Sequence, residues 1–398
     1  MPGLVAPYRQ VLGEPGALAF SASAVVARLP ISMLGIGLVL LVSSSRGSYG
    51  QAGAVAAAAL VAGSLAAPVQ ARLADRVGQP QVIAPLLVVH AAAVAVAVAA
   101  VSRGWALLTV AVAAAAAGAT LPQFGSFVRA RWAYRLAGSE RLATAFALES
   151  VLDEVIFIAG PVLVTLVATR LSPAPAVLGT LLFTCGGGLA YLLCRSTVPP
   201  PHRPEPGTTH EPLGWATLLP LAVAFVGMGA AFGAIEVSTV AFAQEQGALQ
   251  AAGYVLAAFA AGSLVAGLAF GALAPGGPTR RRFVGGLGLL ALALVPTVVV
   301  GGLPAMAAAL AVAGVTISPT LITGFGLTER ASARSRVTEA LAWVTTALGI
   351  GVALGAAVAG PLIDSVGARA GYAVAVTSGL LGAGCSLLLP GEKHPAVA

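Results

Sequence analysis

The stretch Ala71-Arg72-Leu73-Ala74-Asp75-Arg76-Val77-Gly78 is a short polar segment between two long apolar runs. It holds three charged side chains within five residues, whereas only 9% of the whole chain is charged. A polar segment of this kind is typical of a loop on the water side of a membrane. The chain on either side of it supports that interpretation.

The composition excludes an ordinary soluble domain. Hydrophobic residues make up 58% of the 398 residues, and a soluble domain carries about a quarter of its residues as charged side chains. Lipid must therefore cover much of the surface. The net charge of +7 does not indicate a nucleic-acid partner, because the arginines form short clusters between apolar runs. The three cysteines lie in apolar runs without ligand spacing, so we expect no disulfide, metal or cofactor.

The apolar runs predict an all-α membrane protein with 12 transmembrane helices, since about 20 apolar residues cross a bilayer. The runs cover approximately residues 17–45, 49–71, 82–101, 104–128, 142–169, 174–194, 215–242, 249–274, 283–301, 303–327, 337–363 and 370–390. The first 16 residues carry charges and prolines and are not expected to be a cleaved signal.

The distribution of basic residues predicts that both termini are cytoplasmic. An even number of spans puts the termini on one side, and positive charge is enriched on the cytoplasmic side. With the N-terminus inside, the outer loops hold Arg46, Arg103, Arg170 and Arg369. The inner segments hold Arg9, Arg72, Arg76, Arg129, Arg131, Arg135, Arg141, Arg195, Arg203, Arg280, Arg281, Arg282, Arg330, Arg334, Arg336 and Lys393. This excess decides the orientation.

A proline-rich connection divides the spans six and six. We predict an N-terminal bundle over residues 1–195, a stiff cytoplasmic linker over 196–214 and a C-terminal bundle over 215–398. Short stretches of the first half recur in similar form in the second half at an offset near 195–200 residues, which indicates two pseudo-symmetric repeats. The matching stretches are Ala52-Gly53 with Ala252-Gly253, Gly118–Pro122 with Gly314–Pro319, and Arg141–Ala147 with Arg336–Ala342.

The opening stretch, placed after the second of twelve spans, resembles the cytoplasmic signature of the major facilitator superfamily, roughly G-x-L-A-D-R-x-G-R-R. The core Leu73–Gly78 is kept, while Ala71 replaces the first glycine and Gln79-Pro80 replace the final basic pair. The resemblance implies two six-helix bundles around a central cavity and transport by alternating access. Because the edges of the signature are lost, the chain would belong to a divergent subfamily.

The resemblance also implies that this stretch is a conformational latch. In the family, the carboxylate corresponding to Asp75 faces the cytoplasmic start of span 11, where Arg336 lies, when the cytoplasmic side is closed. Arg76 and Gly78 belong to the same motif. The alternative is that the charges of this loop only fix the orientation in the membrane.

Ionisable side chains at mid-membrane are candidates for function because they are costly to insert. Arg28 in span 1 and Asp153 in span 5 both lie about 11 residues from the cytoplasmic end, roughly 16 Å deep. We predict that Arg28 pairs with Asp153 or Glu154, and that Glu149, one turn from Asp153, extends a carboxylate ladder toward the cytoplasm. These groups either exchange a proton during transport or form a fixed salt bridge.

Predictions can also be made for one further carboxylate, one histidine and three glycines inside the spans. Glu236, near the outer end of span 7, would gate the cavity or bind a cationic substrate, or would simply be exposed at the outer mouth. His90 in span 3 is expected to be a packed core histidine. Gly351, Gly355 and Gly360 are expected to form a packing and bending face of span 11.

Two further family signatures, those of drug–proton exporters, are only half present. Gly160-Pro161 matches the end of the span 5 signature, but Ile156 replaces its first glycine. The arginine expected inside span 4 is absent from the run Ala113–Pro122.

The sequence thus predicts a monomeric transporter of the cell membrane that exports a small, partly apolar drug or metabolite against proton entry. The alternatives are an importer or facilitator of a small solute, and a sensor or scaffold that transports nothing. We do not expect an enzyme, because the chain shows no clustered histidines, no metal spacing and no Ser-His pair at one depth.

Overall fold

A computed structural model describes residues 6–136, 139, 141–201, 215–273, 279–331 and 337–390, and these residues form helices and short connections without a strand. The helices are α1 (Ala6–Leu12), α2 (Ala17–Arg28), α3 (Pro30–Arg46), α4 (Tyr49–Val77), α5 (Gln79–Ser102), α6 (Leu107–Thr120), α7 (Phe124–Arg135), α8 (Arg141–Arg170), α9 (Pro173–Leu193), α10 (Trp215–Glu245), α11 (Ala251–Leu273), α12 (Thr279–Leu294), α13 (Leu303–Gly314), α14 (Ile317–Ala331), α15 (Val337–Val366) and α16 (Ala368–Ser386). Short 3-10 turns cover Arg195–Thr197 and Val295–Val298. The all-α fold class is therefore confirmed.

Eleven helical segments within the described ranges are long and apolar enough to cross a membrane. They correspond in order to the first eleven predicted runs. The twelfth run, 370–390, corresponds to α16, whose 19 residues are helical but are not among those eleven. The predicted positions of the spans are thus recovered as helices along the chain.

Three of the predicted spans are each divided into two helices. Pro30 begins α3 directly after Leu29, and proline has no N–H to continue the hydrogen bonding of α2. Pro122 lies in the connection between α6 and α7. The third division separates α13 from α14. It lies in the stretch Gly314–Pro319, which corresponds in the sequence repeat to the stretch between α6 and α7. These divisions matter because Arg28 and the arginines of α7 lie beside them.

The chain splits into two compact units. Unit 1 lies within Met1–Gly47 and Ala58–Pro206, and unit 2 within Ser48–Ala57 and Gly207–Ala398. The long helix α4 therefore begins in unit 2 and ends in unit 1.

The core of unit 1 is built around aromatic side chains. Phe20 and Trp132 meet edge to face with ring centroids 4.7 Å apart, and Phe124 meets Tyr191 in the same way at 5.5 Å. All four side chains are fully buried. They join α2, α7 and α9 around a common centre.

The core of unit 2 depends on glycines that let α10 and α15 approach closely. A Cβ atom on Gly229 or Gly233 would collide with the backbone of Leu348 or Val352, and one on Gly351 or Gly355 with the backbone of Val226 or Ala230. The packing role predicted for the glycines of span 11 is confirmed at Gly351 and Gly355. Small residues at such contacts are typical of membrane helices.

In unit 1, the neighbouring glycines Gly186 and Gly187 of α9 give a matched test of close helix packing through glycine. A Cβ on Gly187 would lie 2.5 Å from the backbone nitrogen of Ala27, whereas nothing lies within 4 Å of a Cβ on Gly186. Gly187→Ala is therefore expected to lower the free energy of unfolding by about 1–3 kcal/mol through overpacking. Gly186→Ala is expected to be neutral or slightly stabilising. Thermal unfolding in detergent measures both, and equal midpoints would contradict the packing argument.

Candidate functional site

Arg28 is the last residue of α2 and its side chain is buried. Its Nε donates to the carbonyl of Ala24 at 3.1 Å. One guanidinium nitrogen forms an ion pair with Asp153 at 2.7 Å, and the other forms an ion pair with Glu149. The predicted pairing of Arg28 with Asp153 is confirmed, and its second partner is Glu149.

Glu149 is fully buried and accepts hydrogen bonds from three side chains. Besides Arg28, the hydroxyl of Ser21 donates to its Oε1 at 2.7 Å and the indole N–H of Trp132 donates to the same oxygen at 2.8 Å. These donors come from α2 and α7, so the carboxylate of α8 ties three helices together. Taking up a proton would disrupt these hydrogen bonds, which identifies Glu149 as a structural centre of unit 1.

Asp153, one helical turn further along α8, is in a different environment. Its second oxygen accepts from Arg129 of α7 at 2.8 Å, and both of these side chains are about one-third exposed. Two arginines and two carboxylates therefore alternate in a chain that runs from the buried Glu149 to the accessible Arg129. Glu149 and Asp153 belong to one network, as predicted, but Glu149 is its enclosed end and does not extend a ladder toward water; the accessible carboxylate is Asp153. Glu154, the next residue, is half-buried.

Arg129 and Arg131 were counted among the inner basic residues, after a span predicted to end near residue 128. After the division at Pro122, the helix resumes as α7 and continues to Arg135, so both arginines lie on a helix of span 4. The expectation that span 4 carries no arginine held only for its first half. The signal that could have located them is Pro122, which divides the span without ending it.

Arg131 is fully buried without a carboxylate partner in any described range. Its side chain donates to Gln79 at 2.9 Å, to the carbonyl of Cys194 at 3.0 Å and to the hydroxyl of Thr197 at 2.9 Å. Its guanidinium carbon lies 3.6 Å from the centre of the Tyr191 ring. Arg131 therefore anchors the 3-10 turn at Arg195–Thr197, so the predicted linker over 196–214 is packed at its start; residues 202–214 lie outside the described ranges.

The stretch around Asp75 forms the end of α4 and the turn into α5. Gly78 adopts φ +97°, a conformation that favours glycine, and this explains why the motif requires it. Asp75 and Arg76 are exposed, and Asp75 lines a cavity of about 250 Å³ together with Tyr134. Arg336, the expected partner of Asp75, lies outside the described residues.

Glu236 lies on α10 in unit 2, nine residues before the end of the helix at Glu245, which corresponds to about 13 Å. Its side chain is half-buried, while its neighbours Ile235 and Val237 are buried. No hydrogen bond or ion pair joins it to another described residue. The other carboxylates whose side chains are described in the membrane helices each have a partner: Asp75, Glu149, Asp153, Glu154, Glu245 and Asp364.

His90 is fully buried on α5, and its Nδ1 lies 2.9 Å from the carbonyl oxygen of Ala117 on α6. It therefore packs two neighbouring helices, as predicted. Among the residues that the structure describes, no group of histidine, cysteine or carboxylate side chains has the arrangement of a metal site. The chemistry available at the site is thus hydrogen bonding and ion pairing.

These observations define a polytopic all-α membrane protein with a buried ionic network. A sequence profile of the Major Facilitator Superfamily matches residues 20–284 and, in a second alignment, residues 221–398. The chain therefore belongs to the major facilitator superfamily, whose members are transporters and not enzymes. No curated protein sequence gives a significant match.

Solved structures of three transporters resemble this chain in fold. The nucleoside transporter NupG has a TM-score of 0.72 at 14% identity, covering 94% of this chain and 99% of its own. An auto-inhibited peptide transporter of the POT family has a TM-score of 0.70 at 13% identity, and the match covers 94% of this chain and 96% of that transporter. The human organic anion transporter TETRAN has a TM-score of 0.64 at 15% identity, and the match covers 96% of this chain and 99% of that transporter. At these identities the likeness shows the fold alone.

The different surroundings of Glu149 and Asp153 predict different effects of neutralising them. Glu149→Gln leaves the buried Arg28 with a single carboxylate and is expected to lower the free energy of unfolding by about 3–5 kcal/mol. Asp153→Asn is expected to cost about 1 kcal/mol, because Arg28 keeps Glu149 and water reaches the site. Thermal unfolding in detergent compares the two variants. An equal loss in both would contradict the assignment of Glu149 as the structural centre.

Proposed function

We propose that this chain is a secondary active transporter of the cell membrane that exports a small, partly apolar molecule by alternating access, driven by proton entry, with Glu236 carrying the proton. Alternating access would use the two predicted six-helix bundles, residues 1–195 and 215–398. The observation that carries the proposal is the lack of any described partner for Glu236.

An unpartnered carboxylate in a membrane helix is costly, and such groups are usually functional. Glu236 accepts no hydrogen bond from a described residue, and the nearby Ser238 and Thr239 of α10 hydrogen-bond to Ala234 and Tyr372 instead. Gaining or losing a proton there breaks no existing contact. The same step at Glu149 would disrupt hydrogen bonds from Arg28, Ser21 and Trp132. This contrast favours Glu236 as the coupling group.

The network of unit 1 supplies a second part of the proposal. Asp153 shares its two oxygens between Arg28 and Arg129, and the Arg129–Asp153 pair is accessible. A proton or a substrate group that neutralises Asp153 would free Arg129 to contact a ligand. Glu154 lies beside this pair on α8. In this proposal Arg28 and Glu149 hold the network in place, and Asp153 and Arg129 respond to the substrate.

Composition supports a partly apolar substrate. The described membrane helices are rich in alanine, valine and glycine and offer few hydrogen-bonding groups, whereas a sugar would need several. Export is supported by Gly160-Pro161, which matches part of the exporter signature in span 5. The organic anion transporter among the structural relatives is compatible with such a substrate.

Import of a small polar solute is the second candidate function. The specific observation in its favour is the accessible Arg129–Asp153 pair, which presents one charge of each sign. A nucleoside transporter and a peptide transporter are among the structural relatives, and both of these solutes are polar. The direction of proton-driven movement distinguishes the two candidates.

Membrane orientation and assembly complete the proposal. The excess of basic residues in the inner segments supports cytoplasmic termini in a multi-pass protein of the cell membrane. We propose that it acts as a monomer embedded in lipid, with a small molecule and protons as its partners, and that it needs neither a cofactor nor nucleic acid. Asp75, Arg76, Gly78 and Arg336 would form the cytoplasmic latch.

Replacing Glu236 tests the coupling. Purified protein is reconstituted into vesicles and assayed with ethidium, an aromatic cation, and uridine, a polar neutral solute, under an imposed gradient of about two pH units. Electroneutral exchange of one proton for one ethidium cation would sustain a concentration ratio of about 100, since each pH unit corresponds to about tenfold. Glu236→Gln is expected to abolish accumulation of the transported probe and to retain its downhill movement.

Glu245→Gln is the matched control on the same helix, because Glu245 accepts a hydrogen bond from the backbone of Ala368 and is assigned no proton. It should accumulate the probe as the parent protein does. Proton-driven accumulation by Glu236→Gln at the parent level would exclude Glu236 as the coupling group. Movement of uridine in the direction of import would favour the second candidate.

The latch proposal gives a separate expectation. Asp75→Asn should shift the protein toward its inward-open state, because the charge that stabilises the closed cytoplasmic side is removed. Labelling of single cysteine reporters by an impermeant maleimide, applied to each side of oriented vesicles, measures the shift. Arg72→Gln, an exposed charge in the same stretch, is the control. Unchanged labelling on both sides in Asp75→Asn would leave only an orienting role for this loop.

A further inference from the structure

The first turn of α4 contacts a carboxylate distant in sequence. Asp364, in the last turn of α15, accepts hydrogen bonds from the backbone N–H of Tyr49 at 2.7 Å and from that of Gly50 at 2.8 Å. The hydroxyl of Ser48 donates to the same carboxylate at 2.8 Å. All of these residues belong to unit 2. Three donors thus converge on one side chain.

These donors are N–H groups that a helix cannot satisfy by itself. The first N–H groups of an α-helix lack partners within it. In α4, Ser48 caps the third of them by accepting from Gln51 at 3.1 Å, while Asp364 accepts from the first two. The N-terminal cap of α4 is therefore built from its own Ser48 and from a residue 315 positions away.

Close packing accompanies the cap. A Cβ atom on Gly360 of α15 would lie 2.5 Å from the carbonyl oxygen of Tyr49, and one on Gly53 would collide with the carbonyl of Ala356. The hydroxyl of Tyr49 also donates to Gln244 of α10 at 2.7 Å. The first turn of α4 is thus held on α15 and α10 by hydrogen bonds and by backbone contact.

The contact is built so that it can be released. Asp364 is exposed, so water can replace it at the N–H groups of Tyr49 and Gly50 without burying an unsatisfied donor. By contrast, the ionic centre at Glu149 is sealed from water. An exposed cap lowers the energy of one arrangement and imposes no large penalty on the alternative.

We propose that Asp364 is a releasable cap of α4, which holds the first turn of this helix on α15 in the state described and releases it when the transporter changes conformation. The proposal goes beyond proton coupling and does not depend on it. Because α4 starts in unit 2 and ends in unit 1, release at its outer end changes which contacts hold the helix. The opposite end of α4 carries Asp75.

Maleimide labelling tests the cap without knowledge of the substrate. The three native cysteines are replaced, and a reporter is introduced by Ala52→Cys, since Ala52 is fully buried beside the cap. Asp364→Ala removes both carboxylate oxygens that accept from the backbone N–H groups. It is expected to accelerate labelling of the reporter about five- to tenfold, the effect of losing a helix cap. Unchanged labelling in this variant would overturn the proposal.

Two controls separate release of α4 from general loosening. Glu245→Ala removes a carboxylate that caps α16 through the N–H of Ala368 and has no hydrogen bond to a described residue of α4, so it should leave labelling unchanged. A second reporter, Ser172→Cys, lies exposed before α9 and should be labelled equally in all variants. Equal acceleration by Glu245→Ala and Asp364→Ala would also overturn the proposal.

Hydrogen exchange of the full-length protein provides a second measurement if Asp364→Ala folds poorly. Ser48→Ala removes one donor to Asp364 and the cap of Gln51, and is expected to accelerate exchange in the peptide that contains residues 48–53 about threefold, a smaller effect than that of a complete cap. The peptide that contains residues 368–372 should not change. Equal exchange of residues 48–53 in Ser48→Ala and in the parent protein would contradict the cap.

Discussion

Helices in a bilayer cannot associate by hiding apolar side chains from water, and this constraint governs the whole structure. Lipid tails are as apolar as the helices, so association depends on close packing and on a few polar contacts. In unit 2, glycines bring α10 against α15 until backbone meets backbone. In unit 1, Gly187 does the same between α9 and α2. The high glycine and alanine content is therefore what holds the helices together.

The few polar contacts divide into fixed and adjustable ones according to access by water. Glu149 is fully enclosed by Arg28, Ser21 and Trp132, and losing any of these would leave an unsatisfied charge in an apolar interior. Asp153 makes ion pairs of similar length but can exchange them for water. Asp364 is more exposed still. Burial, more than hydrogen-bond length, therefore determines which of these contacts can break and re-form during a conformational change.

Proline-associated divisions place the charged groups of unit 1. Pro30 follows the end of α2, so Arg28 lies at a helix end inside the first span. Pro122 separates α6 from α7, and α7 then directs Arg129 to Asp153 and Arg131 into the aromatic core. An uninterrupted helix would have continued past these contacts. The divisions therefore supply the geometry that the charges use.

The sequence by itself determined the membrane class, the order of the spans and the family, and it placed Arg28 at the depth of Asp153 and Glu154, because each follows from local composition, a short motif or depth along a helix. It could not identify Glu149 as the enclosed centre, since that depends on Ser21 and Trp132, which α2 and α7 bring to it. It also did not indicate Asp364, whose donors at Ser48, Tyr49 and Gly50 lie more than 300 residues earlier in the chain. Only the tertiary structure decided these contacts, because a hydrogen bond forms between atoms that folding brings together and sequence spacing does not encode that distance.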